Sequence, residues 1–310
     1  MKEKPLISVA LCTYNGQRFL SKQLDSILSQ SYTQTEIIII DDCSTDNTRV
    51  ILSTYLKKDN RITVIENEQN LGYTKNFEKA LQLCKGEYIA ISDQDDIWHP
   101  DKLKQQLEAM DAHQFIYHDS SLIDQEDQSM NYRISDKFNF YKGSSPLPFL
   151  YFNCVSGHTI MMRRSLVEHA LPFQADFHYD QWLAFVATSV GTISYLPQPL
   201  VYYRQHQTNS TDLLSIRSKK KRSSRQEKLD KLIKEQRWLA LCASFKKHPS
   251  VSPFIQKLYQ SSLKKKNVLF NFHYFGLLWK NRDALFYLMK KKDTSKFFFA
   301  LKNSWGVRTK

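Results

Sequence analysis

No stretch of this 310-residue chain reaches the ~20 consecutive apolar residues that a membrane span requires. No Cys-x-x-Cys pair occurs. The five cysteines (Cys12, Cys43, Cys84, Cys154, Cys242) are odd in number and widely scattered, which argues against a thiolate zinc site or a disulfide framework and for free thiols in a reducing compartment. The amino terminus runs from Met1-Lys2-Glu3-Lys4 straight into a strand without the apolar core of a signal peptide, so a cytoplasmic protein is expected. No recognised nucleic-acid module appears. The Gly-rich loop with Arg or Lys that a nucleotidyltransferase sets on a triphosphate is missing as well: Thr13-Tyr14-Asn15 stand after the first strand, with a single glycine nearby.

The length and a hydrophobic content of 42% fit one large globular domain, or one with an appendage. The net charge of +13 is unevenly spread: residues 1–210 carry 19 Lys and Arg against 25 Asp and Glu, whereas residues 211–310 carry 25 against 6. An acidic front suited to recruiting a cation is thus joined to a basic tail that faces something anionic.

Leu6 to Leu11, Glu36 to Ile40, Ile62 to Ile65 and Tyr88 to Ser92 read as strands, and the apolar spacing of Phe19 to Leu28, of the segment ending at Leu56, and of Phe77 to Cys84 places helices between them. Such alternation predicts a mostly parallel sheet covered on both faces, with ligands bound at the carboxyl ends of the strands. Polar groups fall at those ends repeatedly: Thr13-Tyr14-Asn15, then Asp41-Asp42, then Asp93-Gln94-Asp95-Asp96. Three carboxylates within four positions repel one another unless a cation offsets them, and hard ions such as Mg²⁺ or Mn²⁺ commonly bridge carboxylates to nucleotide phosphates. Ordinary capping chemistry competes with that reading, because Pro100 and Lys102 to Met110 announce a helix just beyond. In the shared pocket Tyr14 could stack on a base, and Asp42 could accept a hydrogen bond from a base or ribose.

Taken together, Thr13-Tyr14-Asn15-Gly16, Asp41-Asp42-Cys43-Ser44-Thr45-Asp46, Asn70-Leu71-Gly72, Gly86-Glu87-Tyr88 and Asp93-Gln94-Asp95-Asp96-Ile97-Trp98 resemble the family 2 glycosyltransferases, most of all their bacterial rhamnosyltransferase-like branch, through about residue 210. The resemblance implies a GT-A (Rossmann-like) fold over residues 1–210. It implies an inverting, metal-dependent transfer of a sugar, L-rhamnose from dTDP-rhamnose before a UDP-hexose, to a cell-surface polysaccharide such as an O-antigen or to a lipid-linked oligosaccharide. Asp95 would ligate Mg²⁺ or Mn²⁺, Asp93 would lie near ribose and sugar, and Thr13, Tyr14, Asn15, Asp42 and Asn76 would complete the nucleotide-sugar site. Further along, Tyr202-Tyr203-Arg204-Gln205-His206 resembles a Tyr-Arg-x-His element whose histidine serves as second metal ligand or phosphate contact. Asp180 matches the base that removes the acceptor proton, although family members often show Glu-Asp where this chain has Tyr179-Asp180. At the first turn of its helix Asp180 could equally be a cap.

Between these motifs, Phe115 to Asp119 reads as a short strand, Asp124 to Lys142 as a loop-rich insertion of the kind that holds acceptors, and Gly157 to Met162 as a return to the sheet in which His158 is structural. The region 211–310 reads as basic, aromatic-rich helices. Lys219 to Arg222, Lys264 to Lys266 and Lys290 to Lys292 stand beside Phe270, Trp279 and Phe297 to Phe299, a pattern suited to helices lying on an anionic membrane surface, with packing on the catalytic domain or an oligomer contact as the alternatives. A sugar nucleotidyltransferase and a basic nucleic-acid-binding protein are the competing functions. The missing triphosphate loop counts against the first, and an acidic front that would repel a phosphate backbone counts against the second.

Overall fold

Strand and helix alternate from the start of the computed structural model, which describes residues 4–206, 224–248 and 251–307. The order is β1 (Ile7–Thr13), α1 (Leu20–Leu28), β2 (Thr35–Asp41), α2 (Thr48–Lys58), β3 (Ile62–Glu66), α3 (Tyr73–Leu83) and β4 (Tyr88–Ser92). The four strands pair in parallel in the order β3-β2-β1-β4. β1, β2 and β4 are buried almost throughout and so carry nearly continuous apolar runs, whereas β3 at the edge is partly exposed. Val9, Leu11, Ile37 and Ile39 point to one core, shared with Leu20 and Leu24 of α1 and Leu52 of α2. Their neighbours Ala10, Cys12, Ile38 and Ile40 point to the other, shared with Phe77, Ala80 and Leu81 of α3.

Beyond β4 the sheet is mixed. The chain continues through β5 (Ile97–Trp98), α4 (Lys102–Met110), β6 (Phe115–Ile123), β7 (Ser129–Arg133), α5 (Ile134–Lys137), β8 (Met161–Arg163), α6 (Ser165–Ala170), α7 (Tyr179–Val190) and β9 (Ile193–Arg204). β8 lies antiparallel between β4 and β6, β6 and β9 run parallel, and β5 and β7 pair antiparallel with β9 and β6. The strand expected over Phe115 to Asp119 extends to Ile123, because Asp119 and Ser120 are buried within it rather than ending it. The insertion expected as loop folds into β7 and α5, with Ile134 and Phe140 supplying buried anchors.

The tail forms α8 (Arg225–Ser244), α9 (Ser252–Leu263), α10 (Phe272–Lys280), α11 (Arg282–Leu285) and α12 (Asp293–Asn303). α8 starts at a capping box in which Ser224 and Glu227 satisfy each other's backbone donors. Trp238, Leu239, Cys242 and Phe286 join the same core as Trp182 and Phe185 of α7, and the Trp238 indole donates to the Leu150 carbonyl at 2.9 Å. One side of the tail is therefore packed on the rest of the chain, the alternative to helices lying wholly on a membrane. Lys265, in a run expected to face an anionic surface, is instead buried against Glu235 at 3.1 Å and over the Tyr274 ring at 4.7 Å. The basic run Lys219 to Arg222 and the boundary expected at residue 210 lie outside the described residues. Among the described residues no helix is long and apolar enough to cross a membrane.

Candidate active site

β1, β2 and β4 are adjacent in the sheet, so the polar residues at their carboxyl ends meet along one edge. There they line a cavity of about 710 Å³ that contains Thr13, Tyr14, Asn15, Asp42, Asn76, Asp93, Asp95 and His206, every nucleotide-sugar and metal residue expected from the sequence. Several of these side chains also build the walls. Asn15 accepts from the Thr45 backbone at 2.9 Å and so holds the loop after β2. Asp42 accepts from Asn67 Nδ2 at 2.8 Å and from the backbone of Leu71 and Gly72 at 2.8 and 2.9 Å, fastening the Asn70-Leu71-Gly72 loop to the cavity. A carboxylate has about four acceptor positions, so Asp42 keeps capacity for about one more donor. Asn76 bonds Asn67 and the Ile40 carbonyl. Tyr14 stands exposed at the rim.

Gln94, a spacer in the sequence pattern, is the brace of this edge. Its Oε1 accepts from Thr13 Oγ1 at 2.6 Å and Tyr14 N at 2.8 Å, and its Nε2 donates to Tyr14 O at 3.1 Å. A Cβ on Gly16 would lie 2.5 Å from that Oε1 and 2.8 Å from Thr13 Oγ1, so a side chain there would displace the brace. The only advance signal for Gln94 was its place between two carboxylates at a strand end.

Nε2 of His206 lies 2.7 Å from Oδ2 of Asp95 although the two residues are far apart in sequence. Two ligands cis on an octahedral ion with bonds of about 2.1 Å stand about 3 Å apart, so this pair fits a Mg²⁺ or Mn²⁺ ion with an opening of a few tenths of an ångström. Arg204 supports the loop from behind: its Nε donates to the Asp95 carbonyl at 2.8 Å and its backbone to Asp96 Oδ1 at 3.0 Å. A second group, Asp93, Asp96 and His158, also has ligating atoms within 4.8 Å of one another. Asp96 and His158 are sealed from solvent, and neither lines the larger cavity where a diphosphate would have to reach the ion. Burial, with the charges of Asp95 and Asp93 adding to it, pushes the Asp96 carboxyl well above its ordinary value.

His158 is braced as a structural residue would be, with Nε2 2.9 Å from Ser120 Oγ and its ring 4.3 Å from that of Tyr203. It also borders a second cavity of about 270 Å³, together with Asp93, Asn153, Tyr179, Asp180 and residues of α5. Asp93, Tyr73, Phe77 and Tyr203 line both cavities and mark where they join. Asp180 sits at the first turn of α7, where its Oδ1 accepts from the Gln181 backbone at 2.6 Å. Burial raises its pKa to about 7; the Gln181 hydrogen bond opposes the rise and the charge of Asp93 adds to it. Such a carboxyl is poised to accept a proton near neutrality. Asn153, which sequence reasoning passed over, carries no motif of its own and enters the site only through the fold, whereas Tyr203 belongs to the Tyr-Arg-x-His element and lines both cavities.

The family model for glycosyl transferase family 2 matches residues 8–171. TuaG of Bacillus subtilis, named for teichuronic acid biosynthesis, is 47% identical over 107 residues, an alignment covering 34% of this chain and 42% of that protein. The chain thus spans less than half the length of that relative. WfgD of Escherichia coli, a UDP-Glc:α-D-GlcNAc-diphosphoundecaprenol β-1,3-glucosyltransferase, is 29% identical over 185 residues, 58% of this chain and 70% of its own. Among solved structures, residues 1–349 of TarS from S. aureus in complex with UDP-GlcNAc superpose with a TM-score of 0.59 at 18% identity, covering 91% of this chain and 82% of that one, a likeness of fold. With a GT-A sheet, a cavity at its strand ends and a family match over more than half its length, this chain belongs to glycosyl transferase family 2.

Proposed function

We propose that this chain transfers one sugar, with inversion, from a nucleoside-diphosphate sugar in the larger cavity to a hydroxyl of a glycan acceptor in the smaller one. The observation that carries the reading is Asp93, shared by two joined cavities of which one holds the Asp95–His206 pair and the other holds Asp180 with a pKa of about 7. Asp180 accepts the proton as the acceptor oxygen bonds to the anomeric carbon, and the bond from that carbon to the diphosphate breaks on the opposite face with its electron pair leaving on the phosphate oxygen. A bound Mg²⁺ or Mn²⁺ would offset charge on the departing diphosphate. Asp95 and His206 would hold it, Tyr14 and Asp42 would meet the base, and Asp93 would orient ribose and sugar.

The resemblance to the rhamnosyltransferase branch favours dTDP-L-rhamnose, while the UDP-GlcNAc bound to TarS and the UDP-Glc donor of WfgD favour a UDP-hexose. The acceptor is read as a growing cell-surface polysaccharide or lipid-linked oligosaccharide at the inner face of the cytoplasmic membrane, in keeping with the diphosphoundecaprenol acceptor in the name of WfgD. Thermal-shift screening against dTDP- and UDP-sugars with Mn²⁺ tests the donor class and the metal, since a ligand of the native state raises its melting temperature. The expected result is a shift with one donor class that chelator or Asp95→Ala removes. Equal donor affinity with and without chelator would contradict the metal site.

A further inference from the structure

The tail buries one side against the catalytic core and leaves another side aromatic and uncovered. Phe272 is 79% exposed, Phe298 65%, Leu269 57%, Trp305 50% and Phe297 37%. The four aromatic ones belong to one connected patch. Phe270 touches Phe272 and Trp305 with ring centroids 4.8 and 5.5 Å apart and reaches Phe275 at 6.0 Å; Phe275 and Trp279 meet Phe297 at 5.6 and 5.2 Å, and Phe297 meets Phe298 at 5.8 Å. An exposed apolar patch of several large rings marks an interaction surface.

Charge selects the partner. Residues 264–307 carry ten Lys and Arg against two Asp, and Lys264, Lys280, Lys291, Lys292 and Lys302 are exposed. A second copy of the chain would set this charge against itself, whereas a bilayer with anionic phosphate headgroups satisfies the rings and the lysines together. The patch is also joined to the acceptor side. The segment leading into α12 is stitched to the wall of the smaller cavity: Asn139 N donates to the Leu288 carbonyl at 3.1 Å, Lys290 Nζ to the Ser135 carbonyl at 3.0 Å, and Phe138 bridges Met289. Ile134, Lys137 and Phe138 of that wall border the cavity that holds Asp180.

We infer that the Phe270–Phe272–Phe297–Phe298–Trp305 patch, together with the exposed lysines of the same segment, docks the enzyme on an anionic lipid bilayer so that the wall of the acceptor cavity abuts the membrane surface. The inference rests on the glycosyltransferase reading only for the purpose of docking. The surface itself stands on exposure and charge.

The test uses the full chain and vesicles of phosphatidylglycerol and phosphatidylcholine in equal parts, beside vesicles of phosphatidylcholine alone. The native protein should cosediment with the anionic vesicles. The triple variant K280Q/K291Q/K292Q should bind about tenfold or more weakly at low salt, since each basic residue near such a surface contributes about 1 kcal/mol before screening. The double variant Phe272→Ser, Phe298→Ser should lose the part of the binding that salt does not remove. Both sets change exposed side chains, so melting temperature and transfer to a soluble sugar acceptor should stay at native levels while transfer to a vesicle-borne acceptor falls. Three results would overturn the inference: no binding of the native protein to anionic vesicles, binding that both variants retain in full, or a native dimer that the Phe272 and Phe298 substitutions dissociate. Vesicle binding with the expected variant losses, but without transfer to any acceptor, would support the docking surface and sink the functional reading instead.

Discussion

At the level of single residues the proposed mechanism turns on Asp180, a carboxyl whose burial raises its pKa to about 7. In the proposed mechanism its deprotonated form is the base, so kcat/KM should climb about tenfold per pH unit below about 7 and level off above it. Asp180→Asn should lower turnover by about 10²–10⁴-fold, remove that acid limb and leave donor binding nearly native. A steady-state pH profile with a donor thermal shift on the same variant checks this, and near-native turnover would refute the assignment. Asp95→Ala should behave differently, losing the Mn²⁺-dependent part of donor binding, as isothermal titration with and without chelator would read. Both aspartates were visible in the sequence through motifs. Gln94 was not, because an amide acts as a brace only once the loop after β1 is brought within 3 Å of it, as its bonds to Thr13 and Tyr14 show.

Among the elements, α7 depends on a glycine outside it. A Cβ on Gly157 would lie 2.0 Å from the Tyr179 hydroxyl, and Tyr179 is wedged between Phe77 and Phe173 with centroids 4.7 and 5.9 Å away. Gly157→Ala should therefore shift the first turn of α7, and Asp180 with it, costing about 1–3 kcal/mol of stability as overpacking does and lowering turnover as well. Gly276→Ala on α10 is the control. Open space surrounds that position, so removing a helix-interior glycine should stabilise by about 0.4–1 kcal/mol in urea melts. The helices and long strands of the first half were legible because buried runs and 3.6-residue spacing are local signals. β5, of two residues, was not, since nothing but its sheet neighbour makes it a strand, and β8 occupies only the end of the return to the sheet read over Gly157 to Met162.

For the whole molecule the decisive contact is between the tail and the sheet. Trp238 fills the core beside Trp182 and Phe185, with centroids 6.1 and 6.3 Å apart, so Trp238→Ala should cost about 3–5 kcal/mol and lower the urea midpoint of the entire catalytic domain in one transition. Removing residues 224–310 should for the same reason expose that core and destabilise the donor site, rather than release a separable anchor. A truncated chain that melts like the native protein would refute the shared core. By itself the sequence determined the alternation of strands and helices, the polar strand ends that converge on one pocket, and the division into an acidic front and a basic tail, because each follows from local periodicity or charge. Only the tertiary structure decided that His206 meets Asp95, that Asp93 joins two cavities, that Asp180 is buried enough to titrate near neutrality, and that the tail has one face in the core and an aromatic face left uncovered. Those outcomes depend on which distant surfaces exclude water from one another, and no local pattern along a chain encodes that.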